Sequence, residues 1–235
     1  MKHKKILFVL GMHRSGTSAF ARLVNLLGFD LGTNLLESAP DNPKGFWENK
    51  LIVESHDRIF ANLGQRWDCL NSFPQNWKNV DAVREEKLVL GEIVENKIAG
   101  SCIAIKDPRV CVLLPLWIDL CQEKNWEANF LLVVRNPLEV AESLSARDKM
   151  PAAIAQSLWI RYVLDSLMYS SAFPRRIVTY DQLMNNWRDV VDEIKELPLG
   201  ASIDYSDVAE EIEGFISKDL RHHQNLADSE NAEAF

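Results

Sequence analysis

Four short apolar runs punctuate the chain: residues 5–10 (KILFVL), 102–106 (CIAIK), 129–134 (NFLLVV) and 176–180 (RIVTY). Each is too short for a buried helix and rich in branched or aromatic residues, so each predicts a β-strand. Between them the apolar positions recur at helical spacing. Residues 18–27 place Phe20, Leu23, Val24 and Leu27 on one side and stop at Gly28. Residues 51–63, 80–99 (closed by Gly100), 110–123 (with Pro115 near its first turns), 138–147 and 152–170 predict further helices, and another starts at Asp181. Residues 30–49 are rich in Asn, Pro and Gly and predict a loop. Residues 64–79 hold several turn-like clusters and keep no regular period.

Strands that are apolar throughout, rather than alternating, are buried on both faces. Strands and helices taken in turn therefore predict a three-layer α/β/α architecture around a central, mostly parallel sheet. Ligands in such folds bind beyond the carboxyl ends of the strands. That rule brings four segments to one rim: residues 11–18, 106–109, 135–137 and 180–181.

Composition narrows the picture further. The chain has 235 residues, 47% of them hydrophobic and 26% charged, which excludes a disordered or collagen-like protein and suits one domain over residues 1–235. The tail from about Ala227 is expected to fray. The apolar run at residues 6–10 is far too short to cross a membrane, and it leads into Gly11-Met12-His13-Arg14 without a cleavage signal. Cys69, Cys102, Cys111 and Cys121 form no CxxC pair and no metal-ligand spacing. They predict unpaired core thiols, no metal, and a reducing, cytoplasmic setting. A homodimer is left open.

The net charge of −8 argues against nucleic acid as a partner, but its distribution is uneven. Residues 1–29 carry five Lys or Arg and no acid, whereas residues 189–235 carry thirteen acids and three basic residues. The acidic end predicts a solvated surface. The acid-free start surrounds the frame Gly11-Met12-His13-Arg14-Ser15-Gly16-Thr17-Ser18. Glycines there let successive N–H groups point into one concavity, and the helix N-terminus adds partial positive charge. Thr17 and Ser18 add hydroxyls and Arg14 a full charge. The frame is that of a Walker A loop, but Thr17 stands where that loop needs lysine, which weighs against a magnesium-dependent ATP enzyme.

The loop G-x-x-R-S-G-T-S after an N-terminal strand resembles the 5′-phosphosulfate-binding loop of sulfotransferases that use 3′-phosphoadenosine 5′-phosphosulfate (PAPS). The resemblance implies a P-loop NTPase-like fold and a site in which Gly11, His13, Arg14, Ser15, Gly16, Thr17 and Ser18 hold the 5′-phosphate. A second motif, Arg135-Asn136-Pro137-Leu138-Glu139-Val140-Ala141-Glu142-Ser143, resembles the family's 3′-phosphate segment and implies that role for Arg135 and Ser143. A third, Lys106-Asp107-Pro108-Arg109, resembles a K-D-P stretch of tyrosylprotein-type and many bacterial members, whose lysine faces the transferring group. A lysine ending a buried strand is costly unless it meets an anion. Arg109 is left to contact the phosphate or the acceptor, or to pair with Asp107. The likeness covers roughly residues 5–187 and is weak over 60–100.

Sulfuryl transfer needs a base for the acceptor hydroxyl and cations around the transferring group. Arg14 and Lys106 are the candidate cations. Glu48, in Gly45-Phe46-Trp47-Glu48, resembles the family's catalytic glutamate in its placement, and neighbouring aromatics would raise its pKa by desolvation. Glu37 and His56 are the alternatives, with His56 about two turns along the following helix. Arg221 and His222, with His223, resemble a basic C-terminal segment that closes over the nucleotide. The expected acceptor is a hydroxyl of a glycan, lipid or small molecule. The competing readings are a P-loop kinase using ATP and magnesium, and a noncatalytic nucleotide-binding relative.

Overall fold

The computed structural model describes residues 3–40, 42–199 and 203–216. Its sheet has four strands, β1 (Lys5–Leu10), β2 (Cys102–Lys106), β3 (Glu127–Val134) and β4 (Arg175–Thr179), in the order β2-β1-β3-β4. All three pairings are parallel.

The pleat of β1 divides the core in two. Ile6, Phe8 and Leu10 point to one face, where Phe130 and Leu132 of β3 join them, and Leu7 and Val9 point to the other with Leu131 and Val133. The first face is covered by α2 (Lys50–Asn62), α3 (Asp81–Asn96), α4 (Val110–Lys124), α5 (Pro137–Asp148) and α6 (Ala152–Tyr169). The second is covered by α1 (Thr17–Leu26), α7 (Tyr180–Asn185), α8 (Trp187–Lys195) and α9 (Ala209–Phe215). The three-layer α/β/α architecture is therefore present. Among the described residues no helix is long and apolar enough to cross a membrane.

Several boundaries differ from expectation, and each has a local cause. The third helix ends at Asn96 rather than reaching Ala99. The buried Lys4 ammonium instead takes the carbonyls of Ile98 (2.7 Å) and Gly100 (3.2 Å), which satisfies a loop there. The helix expected from Asp181 is two helices. Thr179 and Gln182 form a reciprocal capping box that starts α7. Extended Asn186 then ends it and accepts from Arg188 N at 3.3 Å to start α8. The acidic end is not all solvated surface: Val190, Val191 and Ile194 of α8 and Ile212 of α9 are buried in the second core.

Register sets the rim. Val9 lies beside Lys106, Leu10 beside Leu132, and Val134 beside Thr179. The loops after β1, β2 and β3 and the start of α7 thus open on one edge of the sheet, where the order 2-1-3 marks a topological switch.

Candidate active site

The rim holds a cleft of about 320 Å³ lined by residues from five separate segments. Its charged residues among those described are Arg14, Lys44, Lys106, Arg135 and Arg147, with a single carboxylate, Glu48. In a chain of net charge −8, five cations face one carboxylate here.

The loop after β1 is shaped by steric demands. A Cβ on Gly11 would lie 2.7 Å from the Val133 carbonyl oxygen, so the loop leaves the strand only with glycine there. Gly16 has φ 85°, and a Cβ would lie 2.2 Å from the Tyr180 ring. Arg14 between them also has positive φ, 67°, a conformation costly for a non-glycine residue. These turns bring the first N–H groups of α1 to the cleft, where Thr17 and Ser18 also line the wall. Ser15 is fully buried and its hydroxyl has no hydrogen-bond partner among the described residues. His13 Nε2 is likewise unpartnered, and the ring sits 4.4 Å from the Trp67 ring. Burial, and then the Arg109 charge, push the His13 pKa well below its ordinary value.

Arg14, Arg135 and Ser143 meet across this cleft although over a hundred residues separate the first from the others. Arg14 Nε donates to Ser143 Oγ at 2.8 Å, and Arg135 Nη1 donates to the Arg14 carbonyl at 3.2 Å. Arg135 is further fixed by Glu139 at 2.8 Å and by the Tyr180 ring beneath it, 4.5 Å from the guanidinium carbon.

On the opposite wall Lys106 ends β2 with its ammonium fully engaged. It donates to Glu48 Oε1 at 2.5 Å, Ser18 Oγ at 3.1 Å and the Phe46 carbonyl at 3.1 Å. Both Lys106 and Glu48 are buried. Burial raises the Glu48 pKa from the ordinary carboxylate value, and the Lys106 and Arg109 charges offset part of that rise. Arg109 Nη2 stands 4.0 Å from Glu48 Oε2. Of the roles left open for it, pairing with Asp107 is realised, at 2.9 Å, and Asp57 also accepts from it.

His56 does not reach the cleft. It is fully buried, with Nδ1 2.8 Å from Asp107 Oδ2 and Nε2 accepting from Trp117 Nε1 at 3.0 Å. Indole N–H can only donate, so Nε2 must carry the lone pair and Nδ1 the proton. The expectation of His56 as a base is corrected accordingly: helical spacing turned the ring into the core, not toward Glu48. Burial pushes the Asp107 pKa up, but Arg109 and His56 outweigh it and hold the carboxyl far below its usual range. Glu37 is exposed and is not among the residues lining the cleft. Arg221, His222 and His223 lie outside the described residues.

The four cysteines are free thiols, and burial pushes Cys111 and Cys121 up to about 12. Cys111 Sγ accepts from Gly11 N at 3.2 Å and so supports the loop. Sequence reasoning brought residue 180 to the rim without giving Tyr180 a role and did not assign Asn42, Lys44, Phe46 or Arg147 to the site, yet all five line the cleft. Arg147 had a readable signal: it stands four residues after Ser143 on one helix, hence on the same face.

No protein-family model matches the chain, and no curated protein matches its sequence. Solved structures do. The sulfotransferase domain of the Synechococcus PCC 7002 olefin synthase aligns with TM-score 0.54 and 19% identity, over 96% of this chain and 90% of that domain. A sulfotransferase from Alicyclobacillus acidocaldarius aligns with TM-score 0.52 and 15% identity, over 96% of this chain and 98% of that one. The chain thus has a fold that these sulfotransferases share.

Proposed function

We propose that this protein is a PAPS-dependent sulfotransferase that moves a sulfuryl group to an acceptor hydroxyl. The observation that carries the reading is the meeting of Arg14, Arg135 and Ser143 with the Lys106–Glu48 pair in one cationic cleft. The donor carries two separate phosphate groups, and the cleft offers two separate grips. The N–H groups opening α1, with Ser15, Gly16, Thr17 and Ser18, hold the 5′-phosphate. Arg135 and Ser143 hold the 3′-phosphate, and the Arg135 fork is well matched to a phosphate dianion.

In the transfer, the acceptor oxygen forms a bond to sulfur in line with the departing 5′-phosphate oxygen, and the old sulfur–oxygen bond breaks. Glu48 takes the acceptor proton. Burial raises its pKa above the ordinary carboxylate value, which strengthens it as a base. Lys106 shifts part of its donation from Glu48 to the sulfuryl oxygens, and Arg14 meets the negative charge growing on the leaving phosphate. The products are the sulfated acceptor and adenosine 3′,5′-bisphosphate, with one proton released to solvent.

Isothermal titration with adenosine 3′,5′-bisphosphate and with ATP–magnesium tests the class. The bisphosphate should bind more tightly, and a preference for ATP–magnesium would overturn the reading in favour of a kinase. Transfer of labelled sulfate from PAPS, measured on wild type, Arg14→Ala and Glu48→Gln, tests turnover. Each variant should lose most of it, and wild type without turnover would be a noncatalytic relative.

A further inference from the structure

The segment that carries Glu48 is held in a strained shape by an element that the mechanism above does not use. Trp47, immediately before Glu48, has φ 57°, and Gly45 has φ 90°. A bulky residue in the left-handed region persists only where its surroundings over-determine it. Trp47 is so determined. Its indole N–H donates to the Lys44 carbonyl at 2.9 Å, closing the turn on itself. The Arg22 guanidinium of α1 lies over its ring at 4.6 Å, and the Phe215 ring of α9 meets it edge-on at 6.4 Å and 90°.

Helix α9 fastens both partners. Glu211 accepts from Arg22 Nη2, and the Phe215 carbonyl accepts from Lys44 Nζ at 2.7 Å. The Lys44 ammonium also lies 5.2 Å from the centre of the Phe215 ring. Inside this turn, the Phe46 carbonyl and the Glu48 carboxylate are the two groups that Lys106 grips from the loop. The position of Glu48 is therefore set from the cleft side by Lys106 and from the outer side by α9.

We propose that α9 is a clamp on the Glu48 loop, with Phe215 and Glu211 acting as positioning residues through Trp47 and Arg22. This rests on the reading of Glu48 as the base. Release needs little: among the described residues Ile212 is the one fully buried side chain of α9, with Ala209 and Phe215 packed partly buried beside it, and elements held by few buried side chains open at low cost. Release lets Trp47 relax and moves Glu48 off its line to the acceptor, while both phosphate grips stay formed. The clamp thus governs turnover and leaves donor binding alone.

The test compares wild type with Phe215→Ala, Phe215→Tyr, Glu211→Gln and Glu213→Gln. The last, also on α9, removes only a solvent-exposed ion pair to Arg188 of α8, away from the loop. Three quantities are measured: release of labelled sulfate from PAPS to water and to a simple phenol, the Kd for adenosine 3′,5′-bisphosphate, and hydrogen exchange of peptides covering residues 42–49 and 11–18. Small misplacements of a catalytic group cost up to ~100-fold in rate. Phe215→Ala should therefore lose roughly 10- to 100-fold in kcat at unchanged Kd. Its 42–49 peptide should exchange faster while 11–18 does not.

Phe215→Tyr should restore turnover, Glu211→Gln should show a smaller loss, and Glu213→Gln none. If Phe215→Ala fails to fold, Glu211→Gln decides by the same criteria. Normal kcat in the clamp variants, or unchanged exchange at 42–49, overturns the clamp. A wild type that neither binds the bisphosphate nor transfers sulfate overturns the sulfotransferase reading instead, and the exchange data then still decide whether α9 holds the loop.

Discussion

Replacing Lys106 with methionine would remove the ammonium that faces Glu48 while keeping an unbranched stem in its place. The two charged groups are 2.5 Å apart, with side chains 2% and 8% exposed. Solvent screens such a pair weakly, and removing one partner costs about 3–5 kcal/mol if the other keeps its charge. Glu48 can limit that cost by taking up a proton. Burial already raises its pKa against the pull of Lys106 and Arg109, and without Lys106 it must rise further. A carboxyl whose folded pKa lies above its unfolded value binds its proton more tightly in the folded chain. That contribution to stability is fully present below the unfolded pKa and is lost as pH rises through the folded one.

The variant, with the higher folded pKa, therefore loses more stability than wild type as pH climbs. Urea unfolding should show the two proteins close at about pH 4.5, apart from a small constant loss of the bonds to Ser18 and Phe46. They should diverge to about 3–5 kcal/mol by roughly pH 8. Adding Glu48→Gln to Lys106→Met should recover most of the deficit, because a neutral amide needs no counter-charge. A deficit that is the same at every pH, or a double variant no more stable than Lys106→Met, would refute the coupling.

Gly16→Ala places a Cβ 2.2 Å from the Tyr180 ring at φ 85°; urea unfolding should show a loss of at least about 2 kcal/mol, with weaker bisphosphate binding by titration. Arg135→Ala removes a charged donor and leaves Glu139 buried, so bisphosphate affinity should fall roughly 10- to 150-fold, about 1.5–3 kcal/mol. Arg135→Lys should recover little of it, since the ammonium cannot fork. His56→Leu orphans the Trp117 N–H and one bond to Asp107; it should cost about 2–4 kcal/mol in unfolding while bisphosphate affinity stays unchanged, and a large change in affinity would place His56 in the binding site after all.

Much of the fold was legible because strands buried on both faces, as β1, β2 and β3 largely are, must be apolar throughout, whereas β4 is an edge strand with Ile177 48% exposed. The runs at residues 5–10 and 102–106 match β1 and β2 in full, and those at 129–134 and 176–180 differ from β3 and β4 by one or two residues. The helix boundaries that were missed depend on distant partners. Nothing near Asn96 announces that Lys4, some ninety residues earlier, will take the carbonyls of Ile98 and Gly100. Helix α9 was unreadable for another reason: Ile212 is its one fully buried side chain amid Glu210, Glu211 and Glu213, too thin an apolar stripe to signal a helix. In the site, Arg14, Arg135 and Ser143 were readable from spacing and resemblance. The Lys106–Glu48 contact was not, since it joins positions 58 residues apart through a loop whose shape hangs on the positive φ of Trp47.

The placement of charge follows from the parallel sheet itself. Every strand that runs the same way ends on the same rim, so the residues after β1, β2 and β3 must face one another whatever their distance in sequence. A cation written at or shortly after the ends of β1, β2 and β3, as with Arg14, Lys106 and Arg135, becomes one cationic cleft in three dimensions. The acids of α3, α8 and α9 lie in helices of the outer layers, where they set the net charge of −8 and the sign of the surface but line no part of that cleft. Net charge therefore says which partners the surface repels, whereas charge counted at strand ends says what the rim can bind. The one carboxylate lining that cleft among the described residues, Glu48, comes from a loop and not from a strand end. It enters the cluster through a loop held by Lys106, which grips the Glu48 carboxylate and the Phe46 carbonyl, and by Leu36 N, which donates to the Glu48 carbonyl at 2.8 Å.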